Sequence, residues 1–308
     1  MKKLGCVVLF VIMGLSIISG VMAEAVNPAS QTAVGEPDVK WNYKVPLRIL
    51  KGDYTYLVNG EILLSEDHVP EPLVKMTSVK RATSAQVYLQ ETAAKALKEM
   101  FDAAKAVTEY TYTTAEGKEV TVEYKDGMTL YLKSGYRSYG TQATTYSNYL
   151  ARNNGKDLGF VAKPGTSEHQ TGLSADILSK KYASRPTMTQ DFEFEPEAMW
   201  MKENCASFGF ILRYPKDKKA EEITGIFFEP WHFRYVGVDA AGYIMNTGMT
   251  LEEFHDDAEF ALAEFLGAGG DEQAQIAFEI SRLNSPPDSF ILEEKGSDGD
   301  SEISLVFY

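Results

Sequence analysis

The sequence predicts an α+β fold, a small and mostly antiparallel sheet flanked by helices. Three observations predict it. Short runs of β-formers at 129–133, 173–178, 210–214 and 226–233 are interleaved with amphipathic stretches of helical period. They do not alternate strand by helix, as a doubly wound sheet requires. The chain of 308 residues, 44% hydrophobic and 24% charged, has the composition of a folded protein.

Lys2 and Lys3 precede an apolar run over residues 4–18, and Val21-Met22-Ala23 offers small residues at a cleavage point. Residues 1–23 are therefore predicted to be an export signal, with the mature protein in the periplasm, the cell wall or the medium. The run falls short of the roughly 20 residues that cross a bilayer comfortably, although an uncleaved anchor is the alternative. No later segment replaces it, so no integral membrane span is expected in the mature chain.

Residues 24–50 carry Pro28, Gly35 and Pro37 without sustained periodicity and read as a linker. The folded body is placed at 51–256. It opens with a strand at 54–58 closed by the turn pair Asn59-Gly60. A helix is predicted to start at Thr83 or Ser84 and to reach about residue 106, with Val87, Ala94, Leu97, Phe101 and Ala104 on one face. β-Formers around Glu116-Gly117 predict a hairpin over 110–124. The strand at 129–133 runs into Ser134-Gly135-Tyr136-Arg137, and further helices are expected at 141–152 and 197–206. Leu251, Phe254, Ala258, Ala261, Leu262 and Phe265 form one apolar stripe, and Ile276, Ile280 and Leu283 another. The second belongs to a C-terminal extension placed at 257–308. Within it, Asp298-Gly299-Asp300-Ser301-Glu302 lacks the spacing of a calcium loop and reads as a solvated acidic turn.

The net charge of −14 is unevenly spread: from Leu251 onward, fifteen acidic residues face only Arg282 and Lys295. This disfavours nucleic acid as a partner. Cys6 falls in the leader and leaves Cys205 as the single thiol of the mature chain, so no internal disulfide is expected. Cys205 ends an apolar-faced helix, the setting of a buried structural thiol rather than a nucleophile.

A catalytic zinc takes three protein ligands and keeps one position for water. The mature chain has four histidines, His68, His169, His232 and His255. His169 precedes a strand in Ser167-Glu168-His169-Gln170-Thr171-Gly172-Leu173-Ser174-Ala175-Asp176, where Gly172 lets the backbone bend so that His169 and Asp176 converge. His232 follows Glu229-Pro230-Trp231, a spacing that allows Glu229 to stand beside a metal-bound water. Two imidazoles and a carboxylate suit zinc better than calcium. Taken singly, each residue has a structural reading: a core or surface histidine, a turn aspartate, an arginine in a salt bridge. His68 and His255 have no neighbouring ligand pattern.

In order along the chain, these residues resemble the VanY-type D-alanyl-D-alanine carboxypeptidases over most of 54–255. The resemblance rests on Tyr56-Leu57-Val58-Asn59, on Ser134-Gly135-Tyr136-Arg137-Ser138 followed by Gln142, and on the Ser167 to Asp176 block. Gly209-Phe210-Ile211-Leu212-Arg213-Tyr214-Pro215 and Glu229-Pro230-Trp231-His232-Phe233-Arg234-Tyr235-Val236-Gly237 complete it. It implies the zinc peptidase fold shared with Hedgehog-type signalling domains. It also implies Zn2+ held by His169, Asp176 and His232, with Glu229 as general base and Arg137 stabilising charge on the scissile carbonyl. Tyr136, Gln142 and Ser167 match positions that line the peptide cleft. The implied reaction is removal of the C-terminal D-alanine from peptidoglycan stem peptides. L,D-carboxypeptidase action, crosslink cleavage and a non-catalytic cell-wall binding role are its alternatives. The 110–124 hairpin looks like an insertion, and the acidic tail has no counterpart in the pattern.

Overall fold

The computed structural model describes residues 34–284, and from Gly35 onward they belong to one unit. The predicted export signal at 1–23 and the acidic turn at 298–302 lie outside the described residues. In chain order the elements are α1 (Leu47–Leu50), β1 (Leu73–Lys75), β2 (Tyr88–Gln90), α2 (Glu91–Ala106), β3 (Glu109–Thr113), β4 (Glu119–Glu123), β5 (Leu130–Ser134) and α3 (Tyr139–Arg152). There follow β6 (Ser174–Ser179), α4 (Lys180–Ala183), α5 (Pro196–Asn204), β7 (Phe210–Leu212), α6 (Lys218–Thr224), β8 (His232–Tyr235), α7 (Val238–Thr247), α8 (Leu251–Gly267) and α9 (Glu272–Asn284). The principal sheet has the order β5-β6-β8-β7, every neighbouring pair antiparallel, and the pairs β1-β2 and β3-β4 stand apart from it. The α+β expectation holds. Among the described residues no helix is long and apolar enough to cross a membrane.

Alternation along β7 builds two cores. Phe210 and Leu212 join the larger one, with the buried face of α2 (Ala93, Leu97, Met100, Ala104) and with Ala175, Ile177 and Phe233. Ile211 points the other way, into a second cluster with Val236, Ala241, Ile244, Leu251 and Phe254. Every residue of β6 is buried, as is every residue of β8. Polar side chains on these two central strands therefore need partners inside the protein.

One predicted strand is absent and two elements start later than expected, each for a local reason. The segment 54–58 is not a strand; its carbonyls at Tyr54 and Tyr56 instead accept from Arg234 Nη2, at 3.0 and 2.8 Å. Asn59 does turn the chain, its Oδ1 accepting from the backbone of Glu61 and Ile62. The helix expected from Thr83 or Ser84 begins only at Glu91. Thr83 closes a short turn on Ala85, and the β-formers Tyr88 and Leu89 pair with Lys75 and Val74. β8 starts at His232, not near 226, because Glu229-Pro230-Trp231-His232 is a turn whose ends are joined by His232 N–H donating to Glu229 O at 3.2 Å. Proline at its second position favours that turn and lacks the N–H that a strand would use.

The C-terminal stripes form helices as expected. Thr250 and Glu253 make a capping box at the start of α8, which buries Leu251, Phe254, Ala258 and Phe265 and crosses residue 256 without a break. Residues placed in the linker pack here: Val45 and Leu47 are fully buried, and Trp41 stands edge-on to Phe265. The N–H groups of Leu47 and Arg48, unpaired at the start of α1, donate to the Glu279 carboxylate of α9 at 3.0 and 2.9 Å.

Candidate metal centre and active site

Asp176 lies in the middle of β6 and is the cross-strand partner of His232 in β8. His169 sits in a 3-10 turn, Glu168–Thr171, which ends at Gly172 with φ of 69° and delivers the chain into β6. A left-handed residue here favours glycine, and an added Cβ would also press on Leu73 and Pro70 at 3.1 Å. The bend predicted at Gly172 is thus present, and it brings His169 over the strand that carries Asp176.

The three side chains meet. One ligand atom from each of His169, Asp176 and His232 falls within 4.8 Å of the others. His169 Nε2 is 3.4 Å from Asp176 Oδ2, and His232 Nδ1 is 3.2 Å from Asp176 Oδ1. Zinc bonds near 2.0–2.1 Å at tetrahedral angles separate ligand atoms by about 3.3 Å, so the donors are spaced to share one ion. Asp176 Oδ1 is buried without a hydrogen-bond partner, as suits an atom that faces a cation. His169 Nδ1 is 2.7 Å from Gly135 O, a carbonyl that can only accept, which leaves the proton on Nδ1 and the lone pair on Nε2. Two imidazoles and one carboxylate, buried and converging, fit zinc.

Glu229 completes the group. The turn at 229–232 places its Oε2 3.6 Å from His232 Nδ1, and its side chain is 16% exposed where those of the three ligands are 3–6% exposed. The open side of the cluster is therefore the side of Glu229. Burial pushes its carboxyl up to about 8, with the Asp176 charge adding and the charges of His232 and Arg137 opposing. Burial would lower His232, but the Asp176 and Glu168 carboxylates raise it, while His169 is lowered by burial. Burial would raise Asp176 too, and the two imidazoles hold it well below the carboxylate range.

Arg137 follows β5 and is tied to the same turn, its N–H donating to His169 O at 3.0 Å. Its guanidinium donates to Gln142 Oε1 at 2.7 Å and to Ser134 Oγ at 3.3 Å. Gln142 is buried, and its amide donates to Ala162 O at 2.6 Å, so both ends of this side chain are engaged in fixing Arg137 to the loop before Ser167. Tyr136 is half-buried beside Arg137, its N–H donating to Tyr88 O, and burial raises its phenol. Ser167 is buried at the head of the 3-10 turn, its carbonyl accepting from Gln170 N–H. His68 and His255 lie outside the cluster, His255 beside Glu259 one turn along α8.

The reading from sequence missed a second layer of charge. Glu168 is fully buried, its Oε1 accepting from Arg213 Nε at 2.7 Å and Arg234 Nη1 at 2.8 Å. Arg213 is also paired through both terminal nitrogens with Glu252 of α8, at 2.8 and 2.6 Å. A signal for it was present: arginines inside the apolar runs Phe210-Ile211-Leu212-Arg213 and Phe233-Arg234-Tyr235 must bury a charge, and buried charges are paired.

Comparison with known proteins gives a consistent picture. Residues 119–238 match the family described as VanY, D-alanyl-D-alanine carboxypeptidase. YodJ of Bacillus subtilis (strain 168) is 37% identical over 204 residues, 65% of this chain and 66% of the relative. The solved LdcB LD-carboxypeptidase is 35% identical, covers 71% of this chain and 94% of its own, and superposes with a TM-score of 0.54. A mutant of the vancomycin-resistance D,D-pentapeptidase VanY, solved with Zn(II), is 30% identical over 66% of this chain and 99% of its own, with a TM-score of 0.49. The chain spans from about half to just under two thirds of the length of the curated relatives it matches. With five sequence blocks, a converging donor set and nearly the whole of a solved LdcB chain in common, the protein belongs to the VanY D-alanyl-D-alanine carboxypeptidase family.

Proposed function

We propose that this protein is an exported zinc carboxypeptidase that hydrolyses the C-terminal D-alanine from peptidoglycan stem peptides. The observation that carries the reading is the convergence of His169, Asp176 and His232 with Glu229 on their open side. When bound there, zinc would supply a Lewis acid and a water whose pKa is lowered to roughly 7. Glu229 accepts the proton of the attacking water at its carboxylate and returns it to the leaving amine. Its place on the open side of the three ligands, beside His232, lets one carboxylate take the water's proton and pass it on. Arg137, held by Gln142 and Ser134, meets the charge that develops on the scissile carbonyl without reorganising. The export reading rests on Lys2, Lys3 and the apolar run that follows them.

A second reading, removal of the terminal D-residue from tetrapeptides, is favoured by the similarity to the LdcB LD-carboxypeptidase. Both are tested by incubating the zinc-loaded protein with defined tetra- and pentapeptide stems and following the mass of the products. Loss of one alanine from the pentapeptide is expected; loss from the tetrapeptide alone selects the second reading. Glu229→Gln is expected to keep its zinc and lose about 10²–10⁴-fold in kcat. Undiminished turnover by that variant overturns the mechanism.

A further inference from the structure

We propose that Glu168 is a positioning residue for the metal site, fixing the His232 ring through its outer nitrogen, and that Glu252 of α8 anchors it through Arg213. The inference rests on the zinc reading above and concerns what holds the ligand in place. His232 turns Nδ1 towards Asp176 and Glu229, which makes Nδ1 the metal-facing atom. A neutral imidazole that gives one lone pair to a metal carries its proton on the other nitrogen, and that N–H needs an acceptor. His232 Nε2 is buried and has no hydrogen-bond partner. The carboxylate paired with it is Glu168, whose Oε2 lies 3.8 Å away, beyond the roughly 2.7–3.2 Å of an N–H···O bond by about 0.6 Å, a gap that a small rotation of either side chain closes.

The two oxygens of Glu168 separate a structural role from this one. Neutralising buried arginines accounts for Oε1, which takes an N–H from Arg213 and one from Arg234. It does not account for Oε2, which receives only the Ser174 hydroxyl at 3.3 Å and faces His232. Arg213 stacks its guanidinium 4.9 Å over the Tyr214 ring, and that ring packs obliquely, at 5.0 Å and 49°, against the His232 ring, a second contact that holds the imidazole. Glu252, in the first turn of α8, binds Arg213 with both oxygens and is steadied by Asn59 Nδ2 at 3.3 Å. The chain of contacts therefore runs from α8 through Arg213 and Glu168 to the ligand itself. Removing an acceptor of this kind costs about 10–100-fold in metal affinity.

The test measures zinc dissociation by competition with a chelator, and the visible spectrum of the cobalt-substituted protein, in Glu168→Gln, Glu168→Asp, Glu252→Gln and Glu253→Gln. Near-ultraviolet circular dichroism of each metal-free protein shows whether it is folded. Glu168→Gln is expected to weaken zinc binding 10–100-fold and to shift the cobalt bands. Glu168→Asp keeps the charge beside both arginines but withdraws the acceptor, and is expected to weaken binding in the same direction if the glutamine variant does not fold. Glu252→Gln is expected to give a smaller loss, and Glu253→Gln, which removes the charge paired with Lys219 but keeps an amide oxygen for the capping box with Thr250, none. Wild-type affinity and an unchanged cobalt spectrum in a folded Glu168 variant overturn the inference and leave the zinc reading standing. A wild-type protein that binds no zinc overturns both.

Discussion

At the scale of single residues, the site is a set of charges whose ionisation each neighbour determines. Glu168 shows the sign of the effect on stability. Burial alone would raise its carboxyl, but Arg213 and Arg234 outweigh burial and hold it well below the carboxylate range. A group depressed in the folded state contributes stability that is present above its unfolded value, near 4.3, and is lost as pH falls towards the folded one. The metal-free protein is therefore expected to weaken below about pH 4.3, with Asp176 acting in the same direction, and urea midpoints measured from pH 7 to 3 should fall accordingly. In Glu168→Gln that acid limb should be shallower. At this scale the sequence was most legible where residue types are scarce. Four histidines leave few ligand sets, and the structure brings together the pair that has Asp176 and Glu229 beside it. Gln142 was less legible, because its position in a motif does not disclose that Arg137 and Ala162 occupy both ends of its amide.

At the scale of elements, the helices with long apolar stripes and the 110–124 hairpin were readable from period alone, while β-strand edges were not. The face Ala94, Leu97, Phe101 and Ala104 is buried as expected, yet α2 begins later than its capping signals suggested. A strand of three residues, β2, claims the space between, and pairing with a segment distant in sequence leaves no local mark. The link after β5 carries a constraint that can be measured. A Cβ on Gly135 would stand 2.5 Å from Tyr88 O and 2.8 Å from Val87 Cγ1, and the Gly135 carbonyl is the partner of His169 Nδ1. Gly135→Ala is expected to destabilise the protein by about 1–3 kcal/mol and to weaken zinc binding, since the link must shift and take that carbonyl with it. Gly140→Ala, in α3 with nothing within 4 Å of the added atom, serves as the control and is expected to be neutral or slightly stabilising. Urea midpoints and zinc titrations of the two variants decide it.

At the scale of the whole molecule, the C-terminal helices are part of the body that holds the site. The stripe through Leu251, Phe254 and Phe265 announced an amphipathic helix, but not that its first turn would carry the carboxylate for a buried arginine beside the ligands. Nor does the sequence show that residues 41–51 fold against α8 and α9: Trp41, Tyr43, Val45, Leu47 and Ile49 alternate with other residues, which marks an apolar side but not the element it packs on. The Glu279 carboxylate that receives the amides of Leu47 and Arg48 has a consequence for local opening. Those two amides are shielded from solvent by a side chain more than two hundred residues away, so they can exchange their hydrogens only when α9 lifts. Native-state hydrogen exchange should find Leu47, Arg48 and the α9 backbone opening as one cooperative unit with a shared free energy, and Glu279→Ala should release the first two while the central strands stay protected. The two ends of the described fold would then breathe together or not at all.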